Sequence, residues 1–243
     1  EYAIGIMSSR KRSGKRQNST GCAPPRVGSP TIDTRLSCCR LYEKSSPAEN
    51  VELWRVAQPV ARSFACAPFR TQTIDVDGRM VGVHRLQSAD KPADVELGAI
   101  AKILRILEQR YGPYPYPAYR VVEVPLGVGD FLGSSEQGFI MVRPVAFDAP
   151  DGNLALFAHE LAHGWWGNRV SGDGPGSILL SESLAQFSAV VAIEAIEGEQ
   201  GATDFLRFSR PGYVDEQCAR GYFQVWRDGS DQPLARMSGE GNA

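Results

Sequence analysis

The sequence predicts an α+β fold, a small N-terminal mixed sheet followed by a mainly helical lobe. Three observations carry this. Apolar and polar residues alternate through 63–69 and 73–86 around an Asp77-Gly78 pair, the pattern of a hairpin. Apolar residues then recur at helical spacing over 94–110. Two further helical patterns, about 152–166 and about 178–197, follow a Gly/Pro-punctuated middle and are joined by a Gly-rich return.

In chain order, the basic region comes first. The first 45 residues hold nine Lys/Arg against three Asp/Glu, a net of +6, and the rest carries -8. Residues 1–53 lack apolar periodicity and include Arg-Lys-Arg-Ser-Gly-Lys-Arg at 10–16. Composition favours a solvated, disordered tail, or a start that is not the natural one, over a nucleic-acid-binding arm. The overall charge of -2 gives no reason to expect nucleic acid or a membrane as partner. With 42% hydrophobic and 22% charged residues, the 243-residue chain has globular composition. No apolar run approaches the ~18 residues of a membrane span. Five cysteines, an odd number with no CxxC pair, read as free thiols, which favours the cytoplasm.

From residue 54 the texture becomes that of a folded domain. His84 falls in the second strand of the 73–86 hairpin and reads as a packing or surface residue rather than a ligand. Val95, Ile100, Ile103, Leu104 and Leu107 define the face of the 94–110 helix, with Gly112 as its stop. Tyr-Gly-Pro-Tyr-Pro-Tyr-Pro at 111–117 is a rigid turn, because its prolines forbid helix. A strand is expected at 120–125, then a Gly-rich loop from Leu126 to Gly133, then a strand at the apolar end of Ser134–Val142. Past residue 200 the pattern is mixed and mostly helical, with breaks at Pro211-Gly212 and Asp228-Gly229.

The first of the two long helical patterns contains His159-Glu160-Leu161-Ala162-His163. Residues four apart share a helix face, so both imidazoles can aim at one point. Zinc takes nitrogen ligands at ~2.0–2.1 Å in tetrahedral array and in hydrolytic sites keeps a third protein ligand and one open position. Glu182 follows His163 after eighteen intervening residues, in an otherwise apolar helix. It is the candidate third ligand, brought back by the Gly-rich return. Glu160 points about 100° around the helix from His159. It is placed to act as general base on a zinc-activated water.

His-Glu-Leu-Ala-His-Gly-Trp-Trp-Gly-Asn at 159–168, with Glu182 beyond it, resembles the gluzincin zinc aminopeptidases of the aminopeptidase N and leukotriene-hydrolase type. The 111–117 segment is similar to that family's FGxYPYP-like stretch, and Gly133-Ser-Ser-Glu136 falls where the family carries GAMEN. The resemblance implies a thermolysin-like zinc peptidase catalytic domain over 54–243, truncated at its C-terminus. It implies one zinc ion held by His159, His163 and Glu182, with Glu160 as general base. It further implies Glu136 as the residue that binds the substrate's free α-amino group, and a peptide with a free N-terminus as substrate. The departures are Gln137, Ser183 and a missing oxyanion-stabilising tyrosine, for which Tyr213 and Tyr222 lie too close to Glu182. A gluzincin endopeptidase and a catalytically impaired scaffold remain open as alternatives.

Overall fold

The computed structural model describes residues 62–67, 69–86, 89, 92–125, 133–149, 153–207, 226–231 and 233, with the backbone of four earlier strands. Those four are β1 (Ala3–Met7), β2 (Leu36–Ser37), β3 (Tyr42–Ala48) and β4 (Val51–Val56). β1 and β2 flank β5 (Arg62–Cys66), and β3 pairs with β4, all antiparallel. The basic run at 10–16 lies outside the described residues.

The expected hairpin is present. β6 (Phe69–Val76) and β7 (Arg79–Leu86) pair in full register from Phe69↔Leu86 to Val76↔Arg79. Their two-residue turn has both residues at positive φ, Asp77 at 53° and Gly78 at 83°. That is the primed turn whose twist suits paired strands, and Asp-Gly tolerates it. The Asp75 carboxylate accepts from Gly78 N–H at 2.9 Å and fixes the bend.

These strands open a five-stranded mixed sheet of order β6-β7-β8-β10-β9, with β8 at Ala118–Glu123, β9 at Gly133–Glu136 and β10 at Phe139–Val142. The β7–β8 and β8–β10 pairs are parallel, the outer two antiparallel. A parallel pair needs a crossover, and α1 (Asp94–Tyr111) supplies it between β7 and β8. β10 is buried at every position, which is why its sequence, Phe-Ile-Met-Val, shows no alternation. One expectation is corrected here. Only the apolar end of 134–142 reads as a strand in the sequence, yet Gly133–Glu136 is itself the edge strand. It turns through Gln137-Gly138, with Gly138 at φ 86°, into β10.

α1 starts and stops as its periodicity predicts, ending at Gly112 with φ 88°. Ile100, Ile103, Leu104 and Leu107 are fully buried in one core with Val81, Val121 and Ile140 of the sheet and with Phe157 and Leu161 of α2 (Leu154–Ala162). The Pro-rich turn is pinned to α1. Glu108 accepts from Tyr114 N–H at 2.8 Å and pairs with Arg79 at 3.0 Å, while Arg79 also donates to the Tyr116 carbonyl. Tyr114 thereby lies edge-on to Trp165 at 5.2 Å and against Gly164, where any side chain would overlap its ring.

α2 is shorter than the 152–166 expected, because the chain leaves the helix at His163 into turns. The second long pattern begins as a π-turn (Leu179–Ser183) and continues as α3 (Leu184–Arg207). α3 runs past the expected end near 197: Gly198 breaks it with φ 81°, and helix resumes after it. α3 packs on α2 through fully buried alanines on both, Ala158 and Ala162 against a row of Ala185, Ala189 and Ala192. Small side chains let the two axes approach closely. Residues 179–207 have the length and apolar content of a membrane-crossing helix. The same apolar content builds the α2–α3 contact. The Leu126–Leu132 loop, Pro211-Gly212, Tyr213 and Tyr222 lie outside the described residues, and Gly229 makes the expected turn after Asp228 at φ 64°.

Candidate metal centre

His159 on α2 and His163 at its C-terminal cap supply the first two donors, because helical spacing brings residues four apart to one side and His163 still has helical φ and ψ. His159 Nε2 and His163 Nε2 stand 3.1 Å apart, and the rings meet at 81°. Glu182 Oε2 lies 3.3 Å from the first and 3.5 Å from the second. One ligand atom from each of the three falls within 4.8 Å of the others. The sequence-expected donor set is therefore brought together as a group that could hold a metal ion.

The outer nitrogens support that use. His163 Nδ1 donates to the Trp166 carbonyl at 3.0 Å, and a carbonyl can only accept. His159 Nδ1 is 2.9 Å from Gln186 Oε1. Each neutral ring with its proton on Nδ1 turns a bare Nε2 lone pair to the other. Two such lone pairs and a carboxylate, all this close together, need a cation between them or an added proton. The residues present thus fit a divalent metal.

In the metal-free chain the added proton is favoured. Burial works to lower the His163 pKa, but the hydrogen bond to Glu182, the charges of Glu160 and Glu182 and the Trp166 carbonyl together raise it. The same contacts with His159 and His163 hold the Glu182 carboxyl well below its usual range. Glu182 itself is exposed, with 53% of its side chain accessible. Its partners are the histidines at a cavity mouth, whereas its apolar sequence neighbours suggest a buried charge.

Glu160 is buried, and burial raises its pKa against the opposing pull of His159 and His163. It lines the same cavity of about 320 Å³ as the three donors. β9 closes over it: a Cβ on Gly133 would stand 2.5 Å from Glu160 Oε1, so the strand reaches the carboxylate only because residue 133 has no side chain. Ser135 donates to the Glu160 carbonyl at 3.2 Å, and Asn168 Nδ2 donates to Ser135 at 3.3 Å. The edge strand, α2 and the turn after α2 are thereby tied together beside the cavity.

Glu136 ends β9 opposite Phe139, half-buried, next to the cavity-lining Ser134 and Ser135. His84 is a packing residue, as its sequence context suggests. It is buried, bonded through Nδ1 to Thr71 at 2.8 Å, and its pKa is lowered to about 3 by burial and by Arg120, so it is neutral. The sequence did not reveal Gln186, Ser135, Asn168 or the Trp166 carbonyl. Gln186 had a legible signal, standing four residues past Glu182 on the same helix face; the others depend on contacts between distant segments.

The peptidase family M1 domain matches residues 95–217, just over half of the chain, so the chain belongs to that family. Among proteins of known name it is 28% identical over 145 residues to endoplasmic reticulum aminopeptidase 1 of Homo sapiens, which covers 55% of this chain and 15% of that protein. It is 29% identical over 98 residues to leucine aminopeptidase 2 of Sclerotinia sclerotiorum, covering 40% of this chain and 16% of the relative. It is equally similar over 98 residues to a leukotriene A-4 hydrolase homolog of Botryotinia fuckeliana, covering 40% and 15%. The matched stretches thus span 15–16% of these relatives' lengths.

Proposed function

We propose that the chain carries the centre of a zinc-dependent aminopeptidase, with residues 54–243 as part of a thermolysin-like catalytic domain. The observation that carries this reading is the convergence of His159, His163 and Glu182 in one cavity with the buried carboxylate of Glu160. His159, His163 and Glu182 would hold the ion. Zinc, when bound, acidifies water and polarises a carbonyl beside it.

Glu160 takes the proton of the attacking water and returns it to the leaving amine. Its raised pKa suits that task, since a buried carboxyl holds a proton more readily than an exposed one. Gly133 and Ser135 keep β9 against it, limiting the space for bulk water. Glu136, at the end of the same strand, pairs with the substrate's free ammonium and so limits cleavage to the first peptide bond. The fungal and human relatives named aminopeptidases support this class of substrate.

Two measurements test the reading. Glu160→Gln should retain zinc and lose ~10²–10⁴-fold in turnover of an aminoacyl reporter. The N-acetylated reporter should not be cleaved by the wild type. Undiminished turnover by Glu160→Gln would overturn the mechanism, and equal cleavage of both reporters would make the enzyme an endopeptidase.

A further inference from the structure

The two donor histidines are steadied by different kinds of acceptor. His163 leans on a backbone carbonyl, which no substitution removes. His159 leans on a side chain, Gln186, through Nδ1···Oε1 at 2.9 Å. Gln186 is half-buried in the first turn of α3, four residues past Glu182 of the π-turn, so the π-turn presents a metal donor and the helix turn that follows it presents the acceptor for another donor's ring.

A neutral imidazole carries one N–H, and whichever nitrogen donates leaves the lone pair on the other. An acceptor at Nδ1 therefore decides two things at once: the ring's rotation about its bond to Cβ, and which nitrogen is free. At His159 the free nitrogen is then Nε2, the one 3.1 Å from His163 Nε2 and 3.3 Å from Glu182. With the acceptor gone, the ring can turn or carry its proton on Nε2, and either change removes a lone pair from the donor set.

We infer that Gln186 is a positioning residue for His159, its amide oxygen holding the ring with the Nε2 lone pair directed at the metal position. The inference rests on the zinc reading above. A glutamine fills this role with a neutral acceptor, so Glu182 stays the one anion among the donors. Since the need is for an acceptor at this place, a carboxylate should serve as well as an amide.

The test is zinc affinity of the full 243-residue chain, measured by competition with a chromophoric chelator. Gln186→Met keeps the length of the side chain and removes the acceptor. It should weaken zinc binding ~10–100-fold, the range seen when partners of metal-bound histidines are lost. Gln186→Glu should bind at least as tightly as the wild type. If the Met variant does not fold, Gln186→Ala takes its place in the comparison. Wild-type affinity in the acceptor-free variant overturns the inference because no acceptor would then be needed, and equal weakening in Gln186→Glu overturns it because an acceptor at this place would then give no rescue. A wild type that binds no zinc overturns it together with the zinc reading. A wild type that binds zinc and cleaves no peptide defeats the aminopeptidase reading alone, and the affinity series still decides the role of Gln186.

Discussion

α2 and the π-turn that leads into α3 both build the candidate metal centre, in opposite ways. α2 is nine residues long; it carries His159 and Glu160, is capped by the donor His163, and its other residues are almost all buried. The two histidines are related by regular helical spacing. α3 is longer and more exposed, and its donor precedes it, in the π-turn at Leu179–Ser183, at the cavity mouth. A π-turn bonds i to i+5 and shifts the face that follows by one residue, a device common at functional sites. The buried helix thus fixes a pair of donors, while the exposed turn leading into its neighbour aims the third.

Removing one donor from each helix breaks the comparison most directly. The free energy of a structural zinc, ~10–16 kcal/mol, shared over four ligands gives roughly 3 kcal/mol each, so His163→Ala and Glu182→Ala should each weaken zinc by ~10²-fold or more. They should differ without metal. His163→Ala also loses a buried bond to the Trp166 carbonyl and should lower the melting temperature of the metal-free chain by more than Glu182→Ala, which removes a half-exposed carboxylate held by the two histidines. Calorimetry of both metal-free variants checks this, and equal loss would show that the exposed donor is as built-in as the buried one.

A smaller effect is expected at the β9 contact. Gly133→Ala places a methyl 2.5 Å from Glu160 Oε1 and must displace the carboxylate or the strand. Turnover should fall by ~10-fold or more, as misplaced catalytic groups do, while zinc affinity stays at the wild-type level. Loss of zinc instead would mean that β9 supports the metal as well as the base.

Next comes the joint between the helices. Ser188 is fully buried on α3; it donates to the Leu184 carbonyl at 2.6 Å, accepts from Trp166 Nε1 at 3.2 Å and lies 3.0 Å from the Tyr111 hydroxyl of α1. Ser188→Ala leaves the indole N–H unpartnered and should cost ~1–3 kcal/mol in a denaturant titration. An unchanged midpoint would show that the α2–α3 joint is apolar packing alone.

The subtlest prediction concerns pH. His163 has a raised pKa in the metal-free fold, so the stability it lends is complete below the ordinary imidazole value and is lost as pH rises through the raised one. The lowered pKa of Glu182 lends stability above the ordinary carboxylate range, lost only at strongly acid pH. The stability lent by these two groups to the metal-free protein should therefore be greatest on the acid side of neutrality, opposed there by His84, which is buried neutral and costs stability as pH falls below the ordinary imidazole value. Zinc requires unprotonated nitrogens, so its affinity should rise with pH over the same interval. Melting curves from about pH 5 to 8, with and without zinc, should converge at the acid end and separate above it. A constant separation would contradict the proton competition.

Much of this was legible in the sequence. Asp77-Gly78 marked the hairpin because few residue pairs accept positive φ twice. The α1 face from Ile100 to Leu107 and its Gly112 stop followed from period and punctuation, although Val95, read into the same face, is 54% exposed in the first turn; His159, Glu160 and His163 followed from a spacing that repeats on one turn. β9 was not legible, because Gly-Ser-Ser-Glu has weak strand preference and is held by its register with β10. The exposure of Glu182 was hidden too, because apolar neighbours in sequence need not surround a residue at the start of a helix.

The sequence by itself determined the β6–β7 hairpin, α1 and the two histidine donors that one helical turn can present, since these depend on local period and backbone preference. Only the tertiary structure decided the convergence of Glu182, the closure of Gly133 over Glu160 and the support of His159 by Gln186. Each joins segments that share no local pattern, and their meeting is set by how closely α2, α3 and the sheet edge can pack.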